Sequence, residues 1–331
     1  MVDVYKGKYE YEHNLIDYAL YIMYIPHLFL GPITRYDEIK KQIETKRKIT
    51  LDNVYSGSLR IVWGLCKKLI IAGRISILVS IVAGNTNIYN GCYALLAMLL
   101  YSIQLYSDFS GGIDIVLGIS KILGFNLIEN FDSPYFAETI KEFWRKWHIS
   151  LSTWLRDYVY IPLGGNRKGK IKQAINVLIT FFVSGLWHGV NYTVWGVIHG
   201  LLVLLGDKYK TRFKTINRII NYVLVSFLWS FFIWRDTNTA LKMMLSVFTN
   251  FNIGEVYTNF LSLGLAVSDW IVLVIATIML FVFEENKKKI KIKNISSEKK
   301  LILICMLVLI VLVFGIYGIG FNVSEFIYSK F

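Results

Sequence analysis

Two histidines lie within strongly apolar or aromatic sequence. His148 is part of FWRKWHISLSTWLRDYVYIPLGGNR (143–167), and His188 is part of SGLWHGVNYTVWGVIHG (184–200). Imidazole exchanges a proton near neutral pH, and an ionisable side chain is costly to hold inside a membrane. Histidines in such surroundings therefore indicate an enzyme or a proton-coupled transporter.

The segment around His148 predicts an amphipathic helix over 139–156. At 100° per residue, its polar side chains fall within about 80° on one side, and the aromatic ones cluster on another. The polar side consists of Lys141, Arg145, His148, Ser152 and Arg156. Such helices commonly lie at the membrane interface, with their cations on anionic lipid. Alternatively, this side lines a cavity in which Arg145 or Lys141 binds a phosphate or another anionic donor group.

His188 ends an apolar run and lies between two glycines. Gly185 and Gly189 would let another helix or a substrate approach the backbone closely. A hydrogen bond to a neighbouring helix is the structural alternative to a catalytic role. The neighbours expected to line the same site are Trp187 and Asn191. His199, eleven residues further on, is expected to contribute packing or support.

Asp108 is the third polar feature, in YSIQLYSDFSGGIDIVLGI (101–119). It precedes Ser-Gly-Gly between two apolar segments, so its carboxylate suits a helix cap that accepts hydrogen bonds from free backbone amides. As a buried carboxylate it could instead orient a catalytic histidine or anchor Arg145.

The elements that carry these residues are predicted to be transmembrane helices. With 331 residues, 55% of them hydrophobic and 18% charged, the chain has more apolar surface than a soluble domain of this length can bury. Apolar stretches that cross or nearly cross a bilayer of about 30 Å run over 15–31, 58–83, 92–106, 174–187, 192–206, 218–234, 269–283 and 301–321. We therefore expect an all-α, polytopic integral membrane protein with about eight transmembrane helices, forming a single domain over residues 1–331.

The placement of charge predicts the orientation of the chain and argues against nucleic acid as a partner. The net charge is +13, and multi-span proteins concentrate such an excess in cytoplasmic loops. The basic clusters are 35–48, 141–172, 207–218 and 286–300, whereas 84–91 and 236–268 are nearly free of Lys and Arg. An even number of predicted crossings separates successive basic clusters, which places them all in the cytoplasm and both chain ends outside.

The three cysteines predict neither disulfides nor a metal site. Cys66, Cys92 and Cys305 are isolated, each in or beside an apolar segment, and no metal-ligand spacing occurs. We expect them to be packing residues.

Four segments together resemble a known family. HLFLGPITRYDEI (27–39), QLYSDFSGGIDIVLGI (104–119), the His148 block and the SGLWHG…HG block occur in this order. This resembles the membrane-bound O-acyltransferase family, specifically its bacterial branch of alginate O-acetyltransferases, peptidoglycan O-acetyltransferases and the teichoic-acid D-alanyl transfer protein. Such proteins usually have several more spans before a loop like DVYKGK (3–8), so we expect this chain to be N-terminally truncated.

The resemblance implies re-entrant and interfacial helices around a central funnel, with a tunnel between the two membrane faces. The family's catalytic histidine matches His188, and its second histidine matches His148. The implied donor is acetyl-CoA or an acyl carrier protein on the cytoplasmic side, as a substrate and not as a bound cofactor. The implied acceptor is an exported polysaccharide or an extracytoplasmic partner protein, and the implied location is the bacterial plasma membrane.

The chemistry of the residues agrees with this implication. Acyl transfer from a thioester to a hydroxyl needs a base for the hydroxyl proton and donors for the oxyanion, and a neutral imidazole can be the base. No Ser-His-Asp set and no G-x-S-x-G turn is present, which favours direct transfer. Two alternatives remain: a proton-coupled transporter, although no internal repeat is visible, and a non-catalytic membrane scaffold, which would tolerate loss of both histidines.

Overall fold

The computed structural model describes residues 2–24, 30–206, 208–287, 289 and 295–317, and these form helices with no strand among them. In chain order the α-helices are α1 (Val2–Tyr5), α2 (Leu15–Ile22), α3 (Tyr36–Glu44), α4 (Leu51–Leu65), α5 (Gly73–Gly84), α6 (Cys92–Ile122), α7 (Ile140–Lys146), α8 (Ile149–Leu155), α9 (Gly169–His188), α10 (Thr193–Leu205), α11 (Lys214–Leu228), α12 (Ser230–Trp234), α13 (Thr237–Thr249), α14 (Ile253–Asn259), α15 (Val267–Asn286) and α16 (Ser297–Phe314). The π-helical segments are Cys66–Ala72 and Arg156–Tyr160, and the 3-10 segments are Pro134–Phe136, Val190–Tyr192 and Phe260–Leu263. The all-α prediction is confirmed. His27, residues 25–29 of the predicted span 15–31, and residues 318–331 lie outside the described ranges.

Three helices in the described ranges are long and apolar enough to cross a membrane. They are Cys92–Ile122, Lys214–Trp234 and Val267–Asn286, and Val190–Leu205 is a shorter apolar helix. These four match the predicted crossings at 92–106, 218–234, 269–283 and 192–206. The predicted crossing at 58–83 is helical but passes through a π-helical segment. The count of about eight crossings stays a prediction.

The centre of the fold is the pair formed by α6 and the long helix that α4, the π-helical segment and α5 build together. Small residues allow their close packing. A Cβ atom on Gly57 would lie 2.5 Å from the carbonyl oxygen of Gly118, and one on Gly64 would lie 2.5 Å from that of Gly111. Since lipid gives little hydrophobic drive for helix pairing, such backbone contacts are a main source of association.

Buried ion pairs cross the same interface. Lys67 pairs with Asp114 and Lys68 with Asp108, and Lys67 also donates to the Ser110 hydroxyl at 2.8 Å. Both lysines belong to the π-helical segment. Charges at this depth are tolerated when each meets a partner.

The prediction that Asp108 caps a helix is wrong. Helix α6 runs unbroken from Cys92 to Ile122, so the amides after Asp108 are engaged in helical hydrogen bonds and are not free for capping. The alternative of a buried carboxylate is correct in kind, because Asp108 is 4% exposed. The cation beside it is Lys68, whereas the sequence suggested Arg145.

Helices α9 and α10 form a tight antiparallel hairpin. A Cβ atom on Gly185 would overlap the carbonyl oxygen of Tyr192, and one on Gly196 would overlap that of Phe181. Gly189, between the two helices, has φ +125°, a conformation that side chains disfavour. The predicted close approach beside His188 is therefore confirmed at Gly185, whereas Gly189 serves the turn between the helices.

Loops of like composition meet at opposite ends of α6. Beyond its C-terminus, Gln42 of the predicted cytoplasmic cluster 35–48 bonds to Asn126. The same cluster is joined to the cluster 141–172 by the ion pair of Arg35 with Asp157 at 2.8 Å. At its N-terminus, the Gly91 amide donates to the Ser246 hydroxyl at 2.9 Å, so 84–91 lies against 236–268. This grouping agrees with the sidedness expected from the distribution of Lys and Arg.

Candidate functional site

The backbone turns sharply at His148. This residue has φ 45° and ψ 57°, the left-handed region, and it separates α7 from α8. The predicted single helix over 139–156 is therefore wrong. The turn ends the regular rotation of 100° per residue, so the predicted polar side of the helix does not continue past Arg145. His148 is half-buried instead, with its ring 4.9 Å from that of Phe109 on α6.

Asn130 stabilises this turn. Its side-chain oxygen accepts a hydrogen bond from the Ser150 amide at 2.9 Å and lies 3.4 Å from Nδ1 of His148. Its backbone oxygen accepts from the Ile149 amide at 3.0 Å. Two residues on, the Asp132 amide donates to the Lys146 carbonyl at 3.0 Å. A continuous helix would have paired these backbone groups internally. The bonds from residues 130 and 132 replace that pairing and so offset the free-energy cost of the break at His148.

His188 is the last residue of α9 and lies in an aromatic pocket. Its ring is 5.5 Å from Phe232 of α12, 5.8 Å from Trp195 of α10 and 6.4 Å from Tyr192. All three contacts are edge-on. Two chain segments, 190–205 and 230–234, thus pack against this imidazole.

The structure brings the two predicted histidines together. His148 and His188 are close enough for an electrostatic interaction between their rings. They come from segments 40 positions apart in sequence, and α7 packs against α10, with the rings of Trp144 and Trp195 5.7 Å apart.

His199 is a fully buried neighbour of this pair. Its Nδ1 accepts a hydrogen bond from the Trp144 indole at 3.1 Å, and its ring lies 4.9 Å from Trp195. The proton of a neutral ring must then be on Nε2. Neither that atom nor Nε1 of Trp195 has a hydrogen-bond partner in the part of the chain that the structure describes.

The other predicted site residues are exposed or make contacts with residues other than the two histidines. Lys141 and Arg145 are exposed on α7, and Ser152 donates a hydrogen bond to the Trp147 carbonyl at 3.3 Å. Trp187 is 58% exposed and its ring lies 5.6 Å from that of Trp154. The Asn191 side chain is exposed, and its carbonyl accepts from Thr237 at 3.4 Å.

An ion pair and a hydrogen bond connect the start of α7 with the basic segment 207–218. The Lys210 ammonium lies 2.9 Å from Glu138, and its hydrogen bond lowers the pKa of the Glu138 carboxyl. The same region receives a bond from the Ile140 amide to the Tyr209 hydroxyl at 2.7 Å. The start of α7 is thereby linked to the loop that follows α10.

Several residues around the site were not identified from the sequence. Asn130 stands in an ordinary polar loop, and no local signal marks its role. Lys67 and Lys68 did carry a signal, because adjacent lysines within an apolar run require buried partners. Trp195 and Phe232 looked like ordinary apolar residues of transmembrane helices.

No group of three or more His, Cys, Asp or Glu side chains within the described ranges could bind a metal ion. The thiols of Cys66 and Cys92 are buried and that of Cys305 is exposed, each unpaired.

Comparisons with known proteins agree on one family. A model of the membrane-bound O-acyltransferase family matches residues 9–246. A probable alginate O-acetylase of Pseudomonas putida is 38% identical over 256 residues, covering 75% of this chain and 52% of the relative. A peptidoglycan O-acetyltransferase of Helicobacter pylori is 34% identical over 243 residues, covering 70% and 46%. A teichoic acid D-alanyltransferase of Bacillus subtilis is 34% identical over 211 residues, covering 59% and 53%. The chain spans about half the length of these curated relatives.

Proposed function

Because this chain belongs to the membrane-bound O-acyltransferase family, we propose that it contributes the catalytic centre of a membrane enzyme that acylates a cell-envelope polymer. The proposed reaction moves a short acyl group, acetyl in the simplest case, from a cytoplasmic thioester to a hydroxyl group outside. The acceptor is an exported polysaccharide or an extracytoplasmic relay protein. The proposed location is the bacterial plasma membrane, crossed several times by one domain.

The observation that carries this proposal is the meeting of His148 and His188. Two imidazoles from distant segments share one region, and one of them sits on a left-handed turn. Strained backbone at a non-glycine residue is a feature of functional sites, because the surroundings must compensate for its cost.

We assign His188 as the general base. It would take the proton of the acceptor hydroxyl while the oxygen attacks the thioester carbonyl. The carbon–sulfur bond then breaks, and the thiol leaves with a proton. His148 is the second polar group at the reaction centre, and Lys68 fixes Asp108 in a supporting position.

Donors for the oxyanion are available beside the base. Nε2 of His199 and Nε1 of Trp195 are buried N–H groups without partners in the described chain. An unpaired buried donor costs about 1–3 kcal/mol. A thioester oxygen that becomes negatively charged would satisfy such a donor and gain most in the transition state.

The donor is proposed to approach from the basic end. Lys141 and Arg145 are exposed there, next to the tied start of α7. Acetyl-CoA and an acylated carrier protein both bear phosphate groups that such cations can bind. Trp187 and Asn191 are proposed to line the route near His188, and Ser152 the route near His148.

The test is acyl transfer by full-length protein carrying His188→Gln, normalised to its abundance in the membrane. We expect a loss of roughly 10²- to 10⁴-fold, the usual contribution of a general base. His13→Gln is the matched control, since His13 is exposed near the N-terminus, away from the α9–α10 hairpin. Wild-type transfer by His188→Gln would refute the assignment and favour a scaffold.

A further inference from the structure

Arg235 occupies an unusual backbone position directly after α12. Its φ is 54°, and its amide closes the helix by donating to the Phe231 carbonyl at 3.2 Å. A left-handed residue at this place in a helix end is usually Gly, because a side chain adds steric cost. Arg235 therefore occupies a backbone position at which glycine would be less strained.

Arg235 also lacks a counter-ion. It is exposed and forms no ion pair within the part of the chain that the structure describes. The adjacent Asp236 is engaged elsewhere, because it caps α13 by accepting from the amide and hydroxyl of Thr239 at 2.8 and 2.7 Å. Those bonds lower the pKa of the Asp236 carboxyl. The carboxylate is therefore engaged with Thr239 and does not pair with Arg235.

The position of Arg235 is at the edge of the histidine site. Three residues earlier, Phe232 packs its ring 4.4 Å from Tyr192 and 5.5 Å from His188. The guanidinium is close enough to act electrostatically on the hydroxyls of Tyr192 and Tyr101. An unpaired cation thus stands beside the residues that surround the proposed base.

Cations are scarce on this side of the molecule. Between 236 and 268 the only Lys or Arg is Lys242, and 84–91 has none. A positive charge here is therefore not part of the general basic surface that marks the opposite end.

From these observations we infer that Arg235 binds an anionic group of the acceptor, a carboxylate or a phosphodiester, close to the hydroxyl that is acylated. The occupant to which we commit is an acidic saccharide chain. The planar guanidinium can bind such a group through two parallel hydrogen bonds, which fixes orientation as well as charge. This inference rests on the proposed function, because it places the acceptor beside His188.

The experiment uses full-length protein in nanodiscs of uncharged lipid. Equilibrium binding is measured for an oligogalacturonate, an oligomer of glycerol phosphate and an uncharged galactose oligomer of equal length, without any acyl donor. Acetyl transfer from acetyl-CoA to the same three oligomers is measured separately. The variants are Arg235→Gly, Arg235→Gln and Arg235→Lys, with Lys242→Gln as a control that removes one exposed charge on the same side.

We expect Arg235→Gly and Arg235→Gln to weaken binding of the oligogalacturonate by about ten- to a hundredfold, as for loss of a charge-assisted bond. A loss confined to the oligomer of glycerol phosphate would overturn the commitment to an acidic saccharide. Binding of the uncharged oligomer should not change, and Arg235→Lys should be intermediate. Arg235→Gly should fold at least as well as the wild type, because glycine suits φ 54°. Lys242→Gln should leave all three affinities near the wild-type values.

Two outcomes would overturn the inference: equal loss for acidic and uncharged oligomers, or no change in any variant. The proposed function fails separately. If the wild type binds the acidic oligomers through Arg235 but transfers acetyl to none of the three, the acceptor site stands and the acetyltransferase proposal does not.

Discussion

At the residue scale, His148 has a backbone conformation that glycine would adopt more easily. The contribution of the backbone conformation and that of the imidazole ring can therefore be tested separately. His148→Gly should recover about 1 kcal/mol of backbone strain, which offsets part of the lost packing, so we expect near-normal membrane abundance. Acyl transfer should nevertheless fall at least tenfold, because the ring is gone.

The matched control is Ser133→Gly. Ser133 also has a left-handed φ, of 49°, and its hydroxyl donates to the Glu284 carboxylate at 2.8 Å. It should retain activity. Full transfer by His148→Gly would mean that His148 only forms the turn.

Arg145 tests the route of the donor. If this exposed guanidinium binds a phosphate of the donor through two parallel bonds, Arg145→Lys should raise the KM for acetyl-CoA about tenfold, or roughly 1.4 kcal/mol. If it only faces anionic lipid, Lys should be silent, since lipid attraction depends mainly on charge. Arg156→Lys is the control, because Arg156 is exposed and already bonded to Asp157. An unchanged KM would return α7 to an interfacial role.

At the element scale, the α9–α10 hairpin depends on Gly196. A methyl group there would overlap the Phe181 carbonyl and push apart the helices that carry His188 and His199. Gly196→Ala should therefore destabilise the protein by about 1–3 kcal/mol and reduce acyl transfer beyond the loss in abundance. Thermal unfolding in detergent and transfer assays measure the two effects.

The control for that change is Gly84→Ala. Gly84 ends α5, and a Cβ atom there would meet nothing within 4 Å. Its thermal unfolding should match the wild type. If Gly196→Ala also matched the wild type in thermal unfolding and acyl transfer, the two helices of the hairpin could move apart without loss of the site.

The sequence predicts helices better than it predicts where they break. The apolar stretch 218–234 predicted the helix Lys214–Trp234 to within four residues, and the stretch 92–106 predicted where the helix Cys92–Ile122 begins, because long apolar runs leave few alternatives in a membrane. That second helix continues sixteen residues beyond the predicted end. The break at His148 depends on Asn130, eighteen positions away, and no local pattern contains that contact. Asp108 was misplaced for a related reason: the glycines after it serve helix packing and do not end the helix.

The candidate site residues show the same difference between what a local pattern predicts and what depends on distant contacts. His148 and His188 were singled out because histidines in apolar sequence are uncommon, and they lie close enough to interact electrostatically. Their catalytic roles stay a prediction. Lys141 and Arg145 were grouped with His148 by an angle that applies only within one helix, and the turn removes that condition.

At the scale of the whole molecule, the two ends of the helical bundle differ in charge, and this predicts sidedness. In a protein whose native cysteines are replaced by alanine, Lys41→Cys and Lys299→Cys should be shielded from an impermeant maleimide in intact cells. Asn87→Cys and Tyr257→Cys should react, because loops poor in Lys and Arg face outward. All four positions are exposed, so access depends on the membrane and not on burial.

Permeabilised cells provide the control, since all four cysteines should then react. Labelling of Lys299→Cys in intact cells would reverse the orientation. It would also move the donor to the side where we place Arg235.

The π-helical segment 66–72 has a consequence for how the chain tolerates changes in length. Its hydrogen bonds close over one more residue per turn than those of an α-helix, so it absorbs an extra residue while α4 and α5 keep their facing on α6. One carbonyl gains a new partner there, because Leu69 accepts from the Ile316 amide at 2.9 Å. A single deletion within 66–72 can therefore be absorbed as regular α-helix at the cost of this attachment, whereas the same deletion in α5 would rotate every later side chain of that helix by about 100°.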